Sequence, residues 1–117
     1  MDIQIVEKPW GHEEILAVGD RVVMKRLVIE GGKRFSLQYH NVKEEIMLVE
    51  LGMGLLFLED RMIPLSRGKA FYIRPGMKHR IEATSGDNLS IIEASTAELT
   101  DIVRLQDDYS RAGTTEP

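Results

Sequence analysis

There is no cysteine in the 117 residues. Disulfides, thiolate nucleophiles and thiolate metal ligands are thereby excluded, and any bound metal must take nitrogen and oxygen donors. A surplus of basic charge is also missing. Fifteen Lys and Arg against 19 Asp and Glu leave a formal charge of −4, the wrong field for non-specific nucleic-acid binding, though compatible with a local basic pocket for a phosphorylated small molecule. No apolar run approaches the ~20 residues needed to span a bilayer. The first ten residues carry Asp2, Glu7 and Lys8 and no apolar core of the secretory kind. These absences predict a cytoplasmic protein with no membrane and no nucleic-acid partner.

What is present is a rhythm of turns. Gly19-Asp20, Gly31-Gly32, Asn41 to Glu44, Gly52 to Gly54, Glu59-Asp60, Ser66 to Gly68, Pro75-Gly76 and Ser85 to Asn88 punctuate the chain. Between them lie short runs rich in Val, Ile, Leu, Phe and Tyr: Arg21 to Ile29, Arg34 to His40, Ile46 to Glu50, Leu55 to Leu58, Ala70 to Ile73 and Leu89 to Ala94. Short strands at regular spacing predict an all-β sandwich or barrel. No repeat or linker interrupts it, so one domain is expected over 1–117, with its core at about 7–111. A short helix or turn is expected within Ala97 to Tyr109, and a frayed tail from Ala112 to Pro117.

The run Arg34 to His40 carries chemistry. Alternation puts Phe35, Leu37 and Tyr39 on one face and Ser36, Gln38 and His40 on the other. That polar face either meets water, the usual state of a half-buried antiparallel strand, or belongs to a site. Glu45 follows after a short connection, and a tight hairpin would bring it beside His40 on the neighbouring strand. His79 follows the Pro75-Gly76 turn. Imidazole, carboxylate and amide oxygen together suit zinc, manganese, iron or cobalt.

With these residues the chain resembles the cupin superfamily. The first motif reads from Gly32 through Gln38, His40 and Glu45 to Gly52, and the second from Gly68 through Pro75-Gly76 to His79. Gln38 stands where most cupins have a histidine. Gln-x-His is similar to what phosphomannose isomerases carry, in particular the C-terminal cupin domain of the type II enzymes. Further matches are Lys8-Pro9-Trp10-Gly11 with Glu14, Lys43, His79-Arg80, Asp101-Ile102-Val103-Arg104-Leu105 and Asp107 to Arg111. Met47 and Ala83 depart from the aromatic residue and the Asn usual at their positions. The resemblance implies a double-stranded β-helix (jelly-roll) barrel and a homodimer. It also implies one divalent metal ion on Gln38, His40, Glu45 and His79, with zinc the first choice and manganese, cobalt, iron or nickel the alternatives. The guanylyltransferase half of those enzymes has no counterpart here, and no Gly-rich phosphate loop occurs; Gly52-Met53-Gly54 is a turn.

The implied activity is interconversion of an aldose and a ketose phosphate, first of all mannose 6-phosphate and fructose 6-phosphate. Such a reaction needs a base and a cationic phosphate anchor. Arg80 is the first choice for the phosphate, although alternation puts it opposite His79 unless the strand bulges. Of Lys25 and Arg26 only one can face inward, and Lys25 is taken as the catalytic candidate. Lys78 and Arg74 are read as strand-edge charges. Glu93 is the candidate base, because it shares a face with Leu89 and Ile91; the competing reading is a carboxylate paired with Arg or Lys. Trp10 is expected to pack, and His12 to lie at the surface. Two other functions fit the same residues: a sugar-phosphate-binding cupin without turnover, and another small metal cupin such as an iron oxygenase.

Overall fold

The computed structural model describes residues 3–97 and 101–113. These form eleven strands and no helix: β1 (Gln4–Lys8), β2 (Gly11–Val18), β3 (Val22–Ile29), β4 (Leu37–Tyr39), β5 (Glu45–Leu51), β6 (Gly54–Leu58), β7 (Arg61–Leu65), β8 (Ala70–Ile73), β9 (His79–Ala83), β10 (Leu89–Thr96) and β11 (Val103–Gln106). They pair antiparallel throughout, in a six-stranded sheet of order β1-β2-β3-β10-β5-β8 and a five-stranded sheet of order β11-β4-β9-β6-β7. Strands close in sequence thus alternate between two facing sheets, which is the jelly-roll barrel that the resemblance implies.

Strand parity explains the core. On β3 the residues Val23, Lys25, Leu27 and Ile29 are buried, and on β10 Leu89, Ile91, Glu93 and Ser95. Side chains two apart leave a strand on the same face. The inner faces meet in an apolar cluster that includes Ile29, Val49, Leu56, Ile81, Leu89 and Ile91. That cluster fills one part of the barrel. The remaining part, where the inward positions turn polar, is a cavity of about 210 Å³.

Three expectations need correction, and one element was not foreseen. The segment read as helix or turn from Ala97 to Tyr109 has its turn at Asp108-Tyr109 but also contains β11, antiparallel to β4, which was not expected; residues 98–100 lie outside the described residues. The chain before Arg21 forms a β1–β2 hairpin that turn spacing did not reveal. Only Leu37–Tyr39 of the run from Arg34 to His40 is regular strand, and Phe35 and Ser36 are both buried, so alternation fails at its start. At the C-terminus, Gly113 donates its N–H to the carbonyl of Arg104 at 3.1 Å, so the chain stays attached to β11 as far as residue 113; residues 114–117 lie outside the described residues.

Gly11 is fixed by crowding. A Cβ there would sit 1.9 Å from the carbonyl oxygen of Val28. This close approach of β2 to β3 lets the preceding Trp10 turn inward, where it is buried against Phe35 with ring centroids 5.9 Å apart.

Candidate metal centre and cavity

Three donors converge at one end of the cavity from separate stretches of chain. His40 follows β4, Glu45 opens β5 and His79 opens β9. Glu45 and His40 do not meet through a hairpin, as spacing suggested. The connection between them crosses from the five-stranded to the six-stranded sheet, and the side chains meet across the barrel. Glu45 Oε1 lies 2.7 Å from His40 Nε2 and 3.6 Å from His79 Nε2.

Each ring is held by its other nitrogen. His79 Nδ1 donates to the carbonyl of Met77 at 2.9 Å, and His40 Nδ1 to the carbonyl of Asp101. With the proton on Nδ1, each Nε2 presents a lone pair. Burial lowers the pKa of His79, which keeps that ring neutral. His40 Nε2, His79 Nε2 and Glu45 Oε1 are all buried and lack hydrogen-bond partners. Lone pairs facing a carboxylate oxygen repel unless a cation lies between them. The three donor atoms fall within 4.8 Å of one another, close enough to share one ion. This donor set therefore fits a divalent metal such as zinc.

Gln38 lines the same cavity. In the five-stranded sheet it lies between its cross-strand neighbours Arg104 and His79. Its Oε1 accepts the Ser36 hydroxyl at 2.6 Å and keeps a second lone pair.

The opposite wall is a row of cross-strand neighbours on the six-stranded sheet: Ile15, Lys25, Glu93 and Met47. Glu93 is buried. Its Oε2 accepts the Ser95 hydroxyl at 3.1 Å and lies 3.8 Å from Lys43 Nζ. Burial pushes the Glu93 carboxyl up, and the charge of Glu45 adds to this, while Lys43 pulls it back. Burial also opposes the charge of Glu45, but the groups around it, the charge of Lys43 among them, outweigh this and hold that carboxyl low. Two carboxyls in one site separate in this way, one held charged and one whose affinity for a proton is raised, as a group that exchanges protons requires. Lys25 donates to Glu13 at 3.2 Å. Lys43 stays charged because Glu93, Glu45 and Glu13 together outweigh its burial.

The cavity as a whole is cationic. Lys8, Lys25, Lys43, Arg104 and Arg111 line it, against Glu13, Glu45 and Glu93. Lys8 shows the crowding: burial lowers its pKa, and the nearby charges of Lys25, Arg111 and Arg104 lower it further, against the pull of Glu13. Apolar walls from Trp10, Leu27, Phe35, Met47 and Ile102 complete the enclosure.

The structure thus brings Gln38, His40, Glu45, His79, Lys25 and Glu93 together, but not Arg80. Parity on β9 sends Arg80 to the face opposite His79, with no bulge to turn it back. There its Nε donates to the carbonyl of Phe35 at 2.8 Å and its Nη2 to that of Gln106 at 3.3 Å. It ties strand ends together outside the cavity. Arg26 likewise faces outward, bound to Glu14 and Glu50. Trp10 both packs and lines the cavity, and His12 is half-buried beside Glu14. Lys8, Glu13, Arg104 and Arg111 received no role from the sequence. The signal for Arg104 was its place two residues after Ile102, on the same face of a short strand.

The sequence matches the family described as "Mannose-6-phosphate isomerase C-terminal" over residues 2–107. Among curated proteins it is 30% identical over 109 residues to the xanthan biosynthesis protein XanB of Xanthomonas campestris pv. campestris, covering 91% of this chain and 23% of that one. It is 31% identical over 115 residues to the alginate biosynthesis protein AlgA of Pseudomonas aeruginosa, covering 96% and 24%. The chain therefore spans about a quarter of the length of these relatives. Among solved structures, the capsular polysaccharide assembling protein CapF of Staphylococcus aureus superposes with a TM-score of 0.77 at 19% identity, over 90% of this chain and 34% of that one. The barrel is thus of the cupin type, and the chain belongs to the family of mannose-6-phosphate isomerase C-terminal domains.

Proposed function

We propose that the cavity carries out a metal-dependent aldose–ketose isomerisation of a small sugar phosphate, with mannose 6-phosphate and fructose 6-phosphate as the first pair. One observation carries the reading: a His–Glu–His donor cluster and five cationic side chains share one enclosed cavity in a chain of net charge −4. At about 210 Å³ the space is small, below the roughly 300 Å³ at which pockets for drug-sized ligands begin. It suits a single sugar phosphate better than a nucleotide sugar.

His40, Glu45 and His79 would hold the ion, with Gln38 as a fourth donor. A divalent ion supplies Lewis-acid polarisation of adjacent carbonyl and hydroxyl oxygens. Arg104, with Arg111 and Lys8, anchors the phosphate by charge-assisted hydrogen bonds. Glu93, between Lys43 and Ser95, takes the proton from one carbon and returns it to its neighbour. Lys43 balances the charge that this transfer moves, and Lys25 offsets the charge of Glu13 on the cavity wall. XanB and AlgA are named for polysaccharide biosynthesis, and supply of mannose precursors to a polymer is the corresponding role here.

The test is to load the protein separately with zinc, manganese and cobalt and to follow conversion of mannose 6-phosphate to fructose 6-phosphate. Metal-dependent turnover that disappears in His40→Ala is expected. No turnover with any metal, in a protein that binds metal stoichiometrically, overturns the isomerase reading; saturable sugar-phosphate binding in that case would leave a binding domain.

A further inference from the structure

Strand β2 turns one carboxylate inward where packing alone asks for an apolar side chain. Parity sends His12 and Glu14 outward, where they meet each other and Arg26, and turns Glu13 to the cavity wall. Across the sheet its row reads Val6, Glu13, Leu27, Ile91 and Val49. Leu27, Ile91 and Val49 are buried, so Glu13 is the single polar member of an apolar row. An apolar residue would fill this position without the cost of desolvating a charge, and a buried ion pair adds little stability over well-packed hydrophobes. Glu13 Oε1 accepts a hydrogen bond from Lys25 Nζ at 3.2 Å, with only 17% and 8% of the two side chains exposed. Among the described residues this is the one hydrogen bond that either side chain makes. Glu13 Oε2 and the other N–H groups of Lys25 are left for a ligand.

We infer that Glu13 is a specificity-determining residue that reads a hydroxyl of the sugar chain, at C3 or C4, with Lys25 as the residue that positions it. The inference rests on the sugar-phosphate reading of the cavity. The neighbours of the pair place it along the chain. On one side, Lys25 has Glu93, the proposed base, as its cross-strand neighbour on β10. On the other, Glu13 has Val6 as its cross-strand neighbour on β1, and Lys8 follows two residues later on the same face. Lys8 is one of the proposed phosphate anchors. The pair thus lies between the proton-transfer end of the cavity and its phosphate end. In an aldohexose 6-phosphate the reaction takes place at C1 and C2 and the phosphate sits on C6, so the middle hydroxyls span this interval. Neighbouring strands are about 4.8 Å apart, a distance of a few carbon–carbon bonds from C2. A hydroxyl donates one hydrogen bond and accepts others. Glu13 takes its proton in a charge-assisted bond, and Lys25 meets a lone pair. A chain without that hydroxyl leaves the carboxylate unpaired on its ligand side, which is how a site built for a hydroxyl rejects the analogue lacking it.

The measurement is titration calorimetry of the zinc-loaded protein with the alditol made by reducing mannose 6-phosphate, and with its 3-deoxy and 4-deoxy analogues. The alditol cannot isomerise, so binding is read apart from turnover. In the wild type one deoxy analogue should bind roughly 10- to 100-fold more weakly than the parent, the range of a hydrogen bond to a charged group. Glu13→Val should weaken the parent by that factor and leave the analogue nearly unchanged, so that the discrimination disappears. Glu13→Gln keeps the shape and one acceptor oxygen and should retain part of the discrimination; it carries the test if Glu13→Val does not fold. Equal affinity of the wild type for the parent and both analogues overturns the inference and leaves Glu13 as half of an ion pair. Full discrimination surviving in both variants also overturns it, by giving the hydroxyl to another group. Discrimination that depends on Glu13 in a protein without turnover upholds the inference while removing the isomerase reading. No binding of the alditol phosphate at all overturns both.

Discussion

Asp101 is joined to His40 by its main chain and to the residues after His40 by its side chain. Its carbonyl accepts the Nδ1 proton of His40, and its carboxylate accepts the backbone N–H groups of Asn41 at 2.9 Å, Val42 at 2.6 Å and Lys43 at 2.9 Å. One residue thus aims a metal-ligand candidate and fastens the connection that carries the chain to the next, Glu45. Such outer partners fix the tautomer and orientation of a ligating imidazole.

Replacing Asp101 by Ala leaves the carbonyl in place but frees three amides. Metal affinity should fall by about 10- to 100-fold, read by chelator competition, with a loss of stability of about 1–3 kcal/mol from the lost hydrogen bonds to a charged acceptor. Asp101→Asn keeps one acceptor oxygen and should fall between the two. An affinity unchanged in Asp101→Ala would show that His40 is aimed by other groups.

Metal removal should cost stability. At a hundredfold excess over its dissociation constant an ion that binds only the folded state adds about 2.7 kcal/mol. In a chain of this size that is worth roughly 10 °C in Tm. Chelation should remove this increment from the wild type, while Glu45→Gln should show little metal-dependent Tm at the same metal concentration. Equal Tm with and without chelator would argue against an ion shared by His40, Glu45 and His79.

Arg104 and Arg80 should separate cleanly in kinetics. Arg104→Met removes a charge from the cavity and should raise KM by about 10- to 100-fold, the range of a charge-assisted hydrogen bond. Arg80→Met removes the donors to Phe35 and Gln106 and should lower Tm with KM nearly unchanged. The reverse pattern would restore Arg80 as the phosphate anchor.

Asp107 should set part of the acid limit of stability. It accepts the N–H of Arg111 at 2.7 Å and its Nε at 3.1 Å. Burial works against its charge, and the bonds from Arg111 outweigh this, holding its carboxyl below the ordinary range. A depressed carboxyl contributes stability that is present above its unfolded value, about 3.9, and is lost as pH falls through the folded value. Asp107→Asn should therefore unfold at a lower temperature than the wild type at pH 7, with the gap closing in acid. A gap that stays constant to about pH 2 would remove Asp107 from the account.

Strand parity and turn spacing brought out the residues of the candidate metal site, and the family resemblance supplied their roles. Gln38 and His40 lie two apart, Glu45 starts the next strand, and His79 follows a Gly76 that carries positive φ. Parity also contained the error at Arg80, since it sends neighbouring residues to opposite faces. What stayed hidden was the wall of the cavity. β1 and β2 turn Lys8 and Glu13 inward along with Val6 and Ile15, and inward charge erases the apolar alternation by which strands are recognised. For the same reason the segment around Arg104 read as polar and irregular. The meeting of His40 with Glu45 across two sheets, and not along a hairpin, follows from topology that no local pattern encodes.

Glu45 belongs to one sheet, while His40 and His79 come from the other. An ion held by all three would act as a rivet through the barrel, and neither sheet alone could close it. Its affinity would then report how firmly the two sheets are docked. Substitutions far from the ligands that loosen that docking would surface first as metal leakage, before any strand is lost.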